Sequence, residues 1–366
     1  LAVASRVEPD FGASCKVAAK AVQSRRNKKS MAPFDLWSSS KDLDAAVRQL
    51  LPNPQPDRHS TSHLPPPMQD IIAREDDPLL RNDIENRFYR YMTLRESDWP
   101  IRPFYTALQQ EVTPSLRSRC VDQMIYAHHA MNFLPDTLFL AVSIMDHYLS
   151  VERVANTPTM ELLSVGALYV AAKYQEKEDT EWPRRFIDTV DAARMSIAEK
   201  KNTAKNALQE IKRAELLMME IRILQRVKWS LARPLPLPFL RRNCQAAKAS
   251  MKEDFTAKYI LEVCLMEHFM SWIKPSKLAA AALHCSLMLS GRLTRSRWNR
   301  RMEFYSGYST MALRSLLIRM AKLTLDACEN IYMATNEKYR RLRYEYVSCF
   351  PEAKARKLRQ LANGVC

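Results

Sequence analysis

Two isolated charges inside apolar helical patterns carry the chemistry most open to argument in this sequence. Lys173 closes the run VGALYVAAKYQE, and Glu220 interrupts LLMMEIRILQ. A lysine ammonium offers three hydrogen-bond donors and a glutamate carboxylate offers acceptors. Side by side they can capture both kinds of orphan backbone group on another protein. If their helices are central to a bundle, neither charge is left dry without a partner, because desolvation costs several kcal/mol. Two readings therefore stand: a docking pair for another protein, or an internal ion pair with exposed heads, to which the lysine stem can snorkel. Arg117 and Asp146 form a second cross-helix pair, read as a buried brace that specifies how two helices meet.

Other chemistry finds little support. His128 and His129 are adjacent on a predicted helix and so do not face one direction, as an i,i+4 ligand pair would. His147, His268 and His284 have no cluster of ligands near them in sequence. The eight cysteines are scattered without a CxxC pair, which disfavours a zinc module and favours buried free thiols in a reducing compartment. Five glycines leave little material for phosphate-cradling loops, and neither a P-loop nor a nucleophile–base arrangement is present. No metal, cofactor or catalytic residue is expected.

These residues need elements to position them. With 366 residues and 47% apolar content, the chain has material for two helical domains and a tail. Residues 1–75 read as a flexible, basic and Pro-rich arm, with Pro52, Pro54, Pro56 and the run at 65–67 interrupting hydrogen-bonded structure. Residues 76–114 read as a helix and connector, with Ile84, Phe88 and Tyr91 forming an apolar stripe for the globular body or a partner. Long helical patterns then fill 115–232 and 233–345, ahead of a tail at 346–366. Thr113, Pro114, Pro135, Thr157 and Pro158 sit where first turns need caps or prolines. Ser276 is a candidate cap and Gly291 a candidate stop. The helices carrying Lys173 and Glu220 are apolar around much of their circumference, which predicts that both are central. No β alternation competes, so the fold class is all-α, two consecutive bundles.

The formal charge of +16 is compatible with nucleic acid, an anionic surface or an acidic protein. Lys16, Lys20, Arg25, Arg26, Lys28 and Lys29 form an acid-free basic run, read as a nuclear-import signal or a solvated segment. No apolar run reaches the roughly 18 residues that cross a bilayer, and no signal-peptide pattern opens the chain. Because the sequence opens at Leu1, a processed chain or a fragment is expected.

At this point a family resemblance becomes specific. LRSRCVDQM, SIMDHYLS, LYVAAKYQE and MMEIRILQRVKW resemble, in order and approximate separation, the first, second, third and fifth helix signatures of cyclins. LARPLPLPFLRR is similar to the junction between the two cyclin boxes of B-type mitotic cyclins, while KPSKLAAAALHCSLML and FYSGYS lean toward the B3 branch. The likeness covers about 79–345 and implies two cyclin boxes of about five helices each.

It also implies a non-catalytic regulatory subunit that activates a cyclin-dependent serine/threonine kinase in mitotic or meiotic progression. Lys173 and Glu220 then match the pair that holds backbone groups at the kinase's mobile helix. Val170, Tyr174, Leu224, Trp229 and Leu231 match the pocket for that helix's apolar anchor, and Arg117 with Asp146 matches an internal brace. ATP belongs to the partner. Arg48 and Leu51 satisfy the spacing of an RxxL destruction motif, which would bring in ubiquitin-ligase machinery. The expected location is the nucleus, with shuttling to the cytoplasm.

Two departures stand out. Leu116, Arg119, Cys120 and Gln123 occupy the substrate-docking patch, where the family carries a more apolar set including a tryptophan. The segment between Lys173 and Glu220 is longer than usual, and its Ala, Glu and Lys content favours helix. A cyclin-box transcription factor binding DNA, or a helical adaptor without kinase activation, are the competing readings; direct nucleic-acid binding and membrane association are disfavoured.

Overall fold

The computed structural model describes residues 83–98, 101–176, 182–200, 211–292, 298, 300–328 and 333–364, all within the compact unit Leu64–Cys366. The arm, its basic run and Arg48 with Leu51 lie outside the described residues. Among those described there is helix and no strand. None of these helices is long and apolar enough to cross a membrane, and among the described residues no group of three or more His, Cys, Asp or Glu side chains is arranged to hold a metal ion.

Helix α1 (Asp83–Arg95) precedes five helices: α2 (Pro114–Ala130), α3 (Pro135–Val151), α4 (Thr157–Gln175), α5 (Trp182–Lys200) and α6 (Arg213–Arg226). Their ends follow local chemistry. The Thr113 hydroxyl accepts from the Leu116 amide at 3.1 Å, with Pro114 in the first turn of α2. The cap of α4 is Asn156 rather than Thr157: its side chain accepts from the Thr159 amide at 2.9 Å. Helix α4 packs against α2, α3 and α6, and residues 163–172 are all buried. It is the central helix, as its all-round apolar pattern predicts.

Helix α6 departs from expectation. It buries Leu216, Met219 and Ile223 on one side, while Leu217, Met218 and Ile221 stay exposed. Sequence patterning cannot separate apolar residues reserved for the core from those left for a partner, and α6 carries both.

The second bundle comprises α7 (Pro236–Ala247), α8 (Met251–Leu265), α9 (Pro275–Ser290), the short α10 (Arg300–Ser306), α11 (Thr310–Cys328) and the short α12 (Met333–Tyr339). Its centre is α9, packed against α7, α8 and α11, where small side chains at 279–282 allow close approach. Gly291 ends α9 at φ 83°, a conformation that glycine adopts without a Cβ penalty. The segment read as a tail holds α13 (Glu352–Ala362), whose Leu358 and Leu361 are buried beside α9 and α11.

The N-terminal helix is tied down by its other face. Phe88 and Tyr91 are exposed, whereas Met92 and Glu96 are buried and the Tyr89 hydroxyl donates to the Pro238 carbonyl at 3.2 Å. Ser276 is not the cap of α9; that position is Lys274. Instead the Ser276 amide and hydroxyl donate to the two oxygens of Glu96 at 2.6 and 2.8 Å, so a carboxylate from a distant segment serves the first turn of α9. Burial pushes the Glu96 carboxyl upward, with the Ser276 bonds opposing.

Candidate functional site

Lys173 and Glu220 meet. The Lys173 ammonium lies 2.7 Å from the Glu220 carboxylate, with side-chain exposures of 38% and 12%, so the pair sits at the rim rather than in the core. What lets α4 and α6 approach is Gly166: a Cβ there would lie 2.9 Å from Met219 and 3.0 Å from Ile223. The same face of α4 that carries Gly166 carries Lys173 two turns later.

Around this pair lies an apolar surface. Val170 is buried, Leu224 and Leu231 are half-buried, and Tyr174 is 51% exposed. Trp229 is 70% exposed, an unusual position for an indole. It is held out by two successive non-glycine residues in the left-handed region, Lys228 at φ 53° and Trp229 at φ 57°, with the Trp229 amide donating to the Leu224 carbonyl at 2.9 Å. Such conformations cost on the order of 1 kcal/mol each and persist where the surroundings enforce them.

Sequence reasoning missed Leu217, Met218 and Ile221. Their spacing of one, three and four residues gives α6 a second apolar stripe, which is the signal that was available. With Tyr174 and Trp229 they make five of the fourteen exposed large hydrophobics among the described residues, all from the end of α4, α6 and the turn after it. Leu217 and Ile221 lie on the side of α6 next to Glu220 and Leu224. A charged pair beside them supplies the orientation that apolar burial lacks.

The brace is a separate, fully buried construction. Arg117 Nε and Nη2 donate to the two oxygens of Asp146, each at 2.7 Å, and the Tyr105 hydroxyl donates to the same carboxylate at 2.6 Å. Arg117 Nη1 donates to the Leu265 and Met266 carbonyls at 2.8 and 3.1 Å, so the brace also reaches the end of α8 in the second bundle. Burial by itself would lower the Arg117 guanidinium; the Asp146 carboxylate outweighs it, and the net direction is upward.

Comparison with known proteins identifies the fold. Residues 87–232 match the family model described as the cyclin N-terminal domain, and residues 234–353 match the cyclin C-terminal domain. The chain is 32% identical over 299 residues to the G2/mitotic-specific cyclin-B2 of Anguilla japonica, covering 81% of this chain and 70% of that one. The chain belongs to the cyclin family. Cyclin-B of Marthasterias glacialis, also described as G2/mitotic-specific, is 30% identical over 337 residues, covering 91% of this chain and 77% of the relative. A viral cyclin from herpesvirus saimiri shares the fold at a TM-score of 0.51 and 18% identity, covering 64% of this chain and 96% of that structure.

Within this cyclin, the four positions that the resemblance assigns to a substrate-docking patch offer little to dock against. Leu116, Cys120 and Gln123 are buried, and Arg119 is engaged with Glu161 at 3.1 Å. Burial pushes the Cys120 thiol up to about 12, so it stays a neutral core side chain. A peptide carrying the basic-hydrophobic docking motif is expected to bind this patch more weakly than about 100 μM by calorimetry, because it gains less than about 5.5 kcal/mol there. Micromolar or tighter binding abolished by Arg119→Ala would contradict this.

Proposed function

We propose that the Lys173–Glu220 pair and the apolar surface beside it bind the mobile regulatory helix of a cyclin-dependent serine/threonine kinase and hold it in its active position. As a cyclin, the chain is a non-catalytic regulatory subunit of such a kinase in cell-cycle control. The observation that carries the site assignment is the convergence of the two charges, 2.7 Å apart, on two helices that, with the turn after α6, expose Tyr174, Leu217, Ile221 and Trp229.

The mechanism is a population shift. A regulatory subunit that binds the active conformation more tightly than the inactive one moves the kinase equilibrium by that difference and no more. The apolar surface provides burial for an anchor side chain. Lys173 and Glu220 provide a donor and an acceptor for backbone groups at the end of the bound helix. Phosphate transfer itself stays with the kinase and its ATP.

A lean toward the B3 branch rests on KPSKLAAAALHCSLML and FYSGYS. The basic run at 16–29 supports a nuclear destination with shuttling, and the RxxL spacing of Arg48 and Leu51 supports turnover by ubiquitin-ligase machinery. Mixing the purified chain with a cyclin-dependent kinase should raise turnover on a Ser/Thr peptide at least tenfold. Salt-sensitive binding to duplex DNA with no effect on any such kinase would instead favour the transcription-factor reading.

A further inference from the structure

Outside the Lys173–Glu220 face, one turn displays apolar side chains among cations. Residues 340–349 follow α12 and include a single 3-10 turn, Leu342–Tyr344. Leu342 is 74% exposed and Tyr346 51% exposed, and Arg340, Arg341 and Arg343 are exposed around them. Within 340–346 three arginines stand against one acid, Glu345.

The turn is rigid. Tyr344 packs its ring against Tyr339 and Phe255, with centroids at 4.8 and 5.5 Å. Arg343 donates to the Asn132 side chain at 3.0 Å, and the Ser348 hydroxyl donates to the Asn336 carbonyl at 3.0 Å. Glu345 and Tyr346 are both left-handed, at φ 52° and 53°, which turns the chain back and leaves Leu342 and Tyr346 outward. Strain of this kind, in a segment pinned at both ends, displays side chains that lose little further entropy on binding. Arg341 and Arg343 also reach inward electrostatically: burial first, then the charges of Arg341, Lys338 and Arg343, push the His129 imidazole down to about 4, against an opposing effect of Glu337.

We propose that this turn is a docking surface for an acidic segment of a partner protein, one that buries Leu342 and Tyr346 and pairs its carboxylates with Arg340 and Arg341. Carboxylates suit the arginine fork bidentately. An exposed leucine adds apolar contact that a nucleic-acid backbone would not use, and two apolar side chains are too few to hold a membrane surface. The proposal rests on the kinase covering the Lys173–Glu220 face, which leaves this turn open for a second partner to bind at the same time.

The test is fluorescence anisotropy of the full chain, saturated with its kinase, against a labelled peptide of alternating glutamate and leucine. Binding is expected, with a loss of about tenfold or more in Leu342→Ser and in the double variant Arg340→Ser/Arg341→Ser. A glutamate–serine peptide should bind more weakly, and kinase stimulation should not change in either variant. No binding of the glutamate–leucine peptide would overturn the proposal, as would equal affinity in wild type and variants or displacement of the peptide by kinase. Phosphatidylserine vesicles or duplex DNA bound through these same residues in place of the peptide would overturn it in favour of those surfaces.

Discussion

Lys173→Ala and Glu220→Ala are each expected to weaken binding to the kinase by about 1–3 kcal/mol, roughly 5- to 150-fold in Kd. Each substitution leaves a backbone group of the bound helix, and the surviving charge, without its partner at a contact that excludes water. Stability of the free chain should change by no more than about 1 kcal/mol, because the pair sits at the rim with the Lys173 head in water, even though the Glu220 side chain is only 12% exposed. That contrast separates docking from support of the fold. Trp229→Ala should behave in the same way, since an indole 70% exposed in the free chain has little packing to lose. Met311→Ser, on an exposed part of α11, is the control. Unchanged affinity and turnover in both charge variants would reject the docking role, and lost stability with unchanged affinity would reassign the pair to the fold.

Asp146→Ala is expected to produce the largest loss of stability, about 3–5 kcal/mol, because it strands a buried guanidinium. Arg117 and Asp146 are 1% and 3% exposed at their side chains. Replacing both by apolar residues should recover only part of that loss. The Leu265 carbonyl, which Arg117 satisfies at the end of α8, would then go unpaired at about 1–3 kcal/mol, while the Met266 carbonyl keeps its bond from the Ser118 hydroxyl at 2.7 Å. Because those carbonyls belong to the second bundle, the brace couples the two bundles as well as α2 to α3. Urea denaturation reads the effect as a shift in midpoint at unchanged slope. A loss below about 1 kcal/mol for Asp146→Ala would show that the pair is dispensable, contrary to its burial and its full set of bonds.

Much of this was legible in the sequence, for identifiable reasons. Helix α4 is apolar on every side, and a helix with so little polar face has only the centre of a bundle to occupy; that is where it lies. The isolated charges stood out for the same reason, because a lysine or glutamate among apolar neighbours must find a partner. The stripe on α6 was not legible as a surface, since Leu217, Met218 and Ile221 look like core until the fold shows Leu216, Met219 and Ile223 already filling it. Of the two roles open to the stripe on the N-terminal helix, packing on the globular body is not the one seen for Phe88 and Tyr91, which face out while Tyr89 and Met92 pack. Contacts spanning the chain, such as Glu96 with Ser276 or Arg117 with Leu265, leave no local pattern at all. They depend on where two separately patterned helices end in space.

Activation by the proposed mechanism requires that the α4–α6 rim be the surface a kinase covers. Amide hydrogen exchange of the chain, alone and with the kinase, tests that directly. Protection on binding should concentrate at residues 170–174 and 214–231, and should largely disappear with Glu220→Ala. Protection confined to the second bundle, with these segments exchanging as in the free chain, would contradict the account.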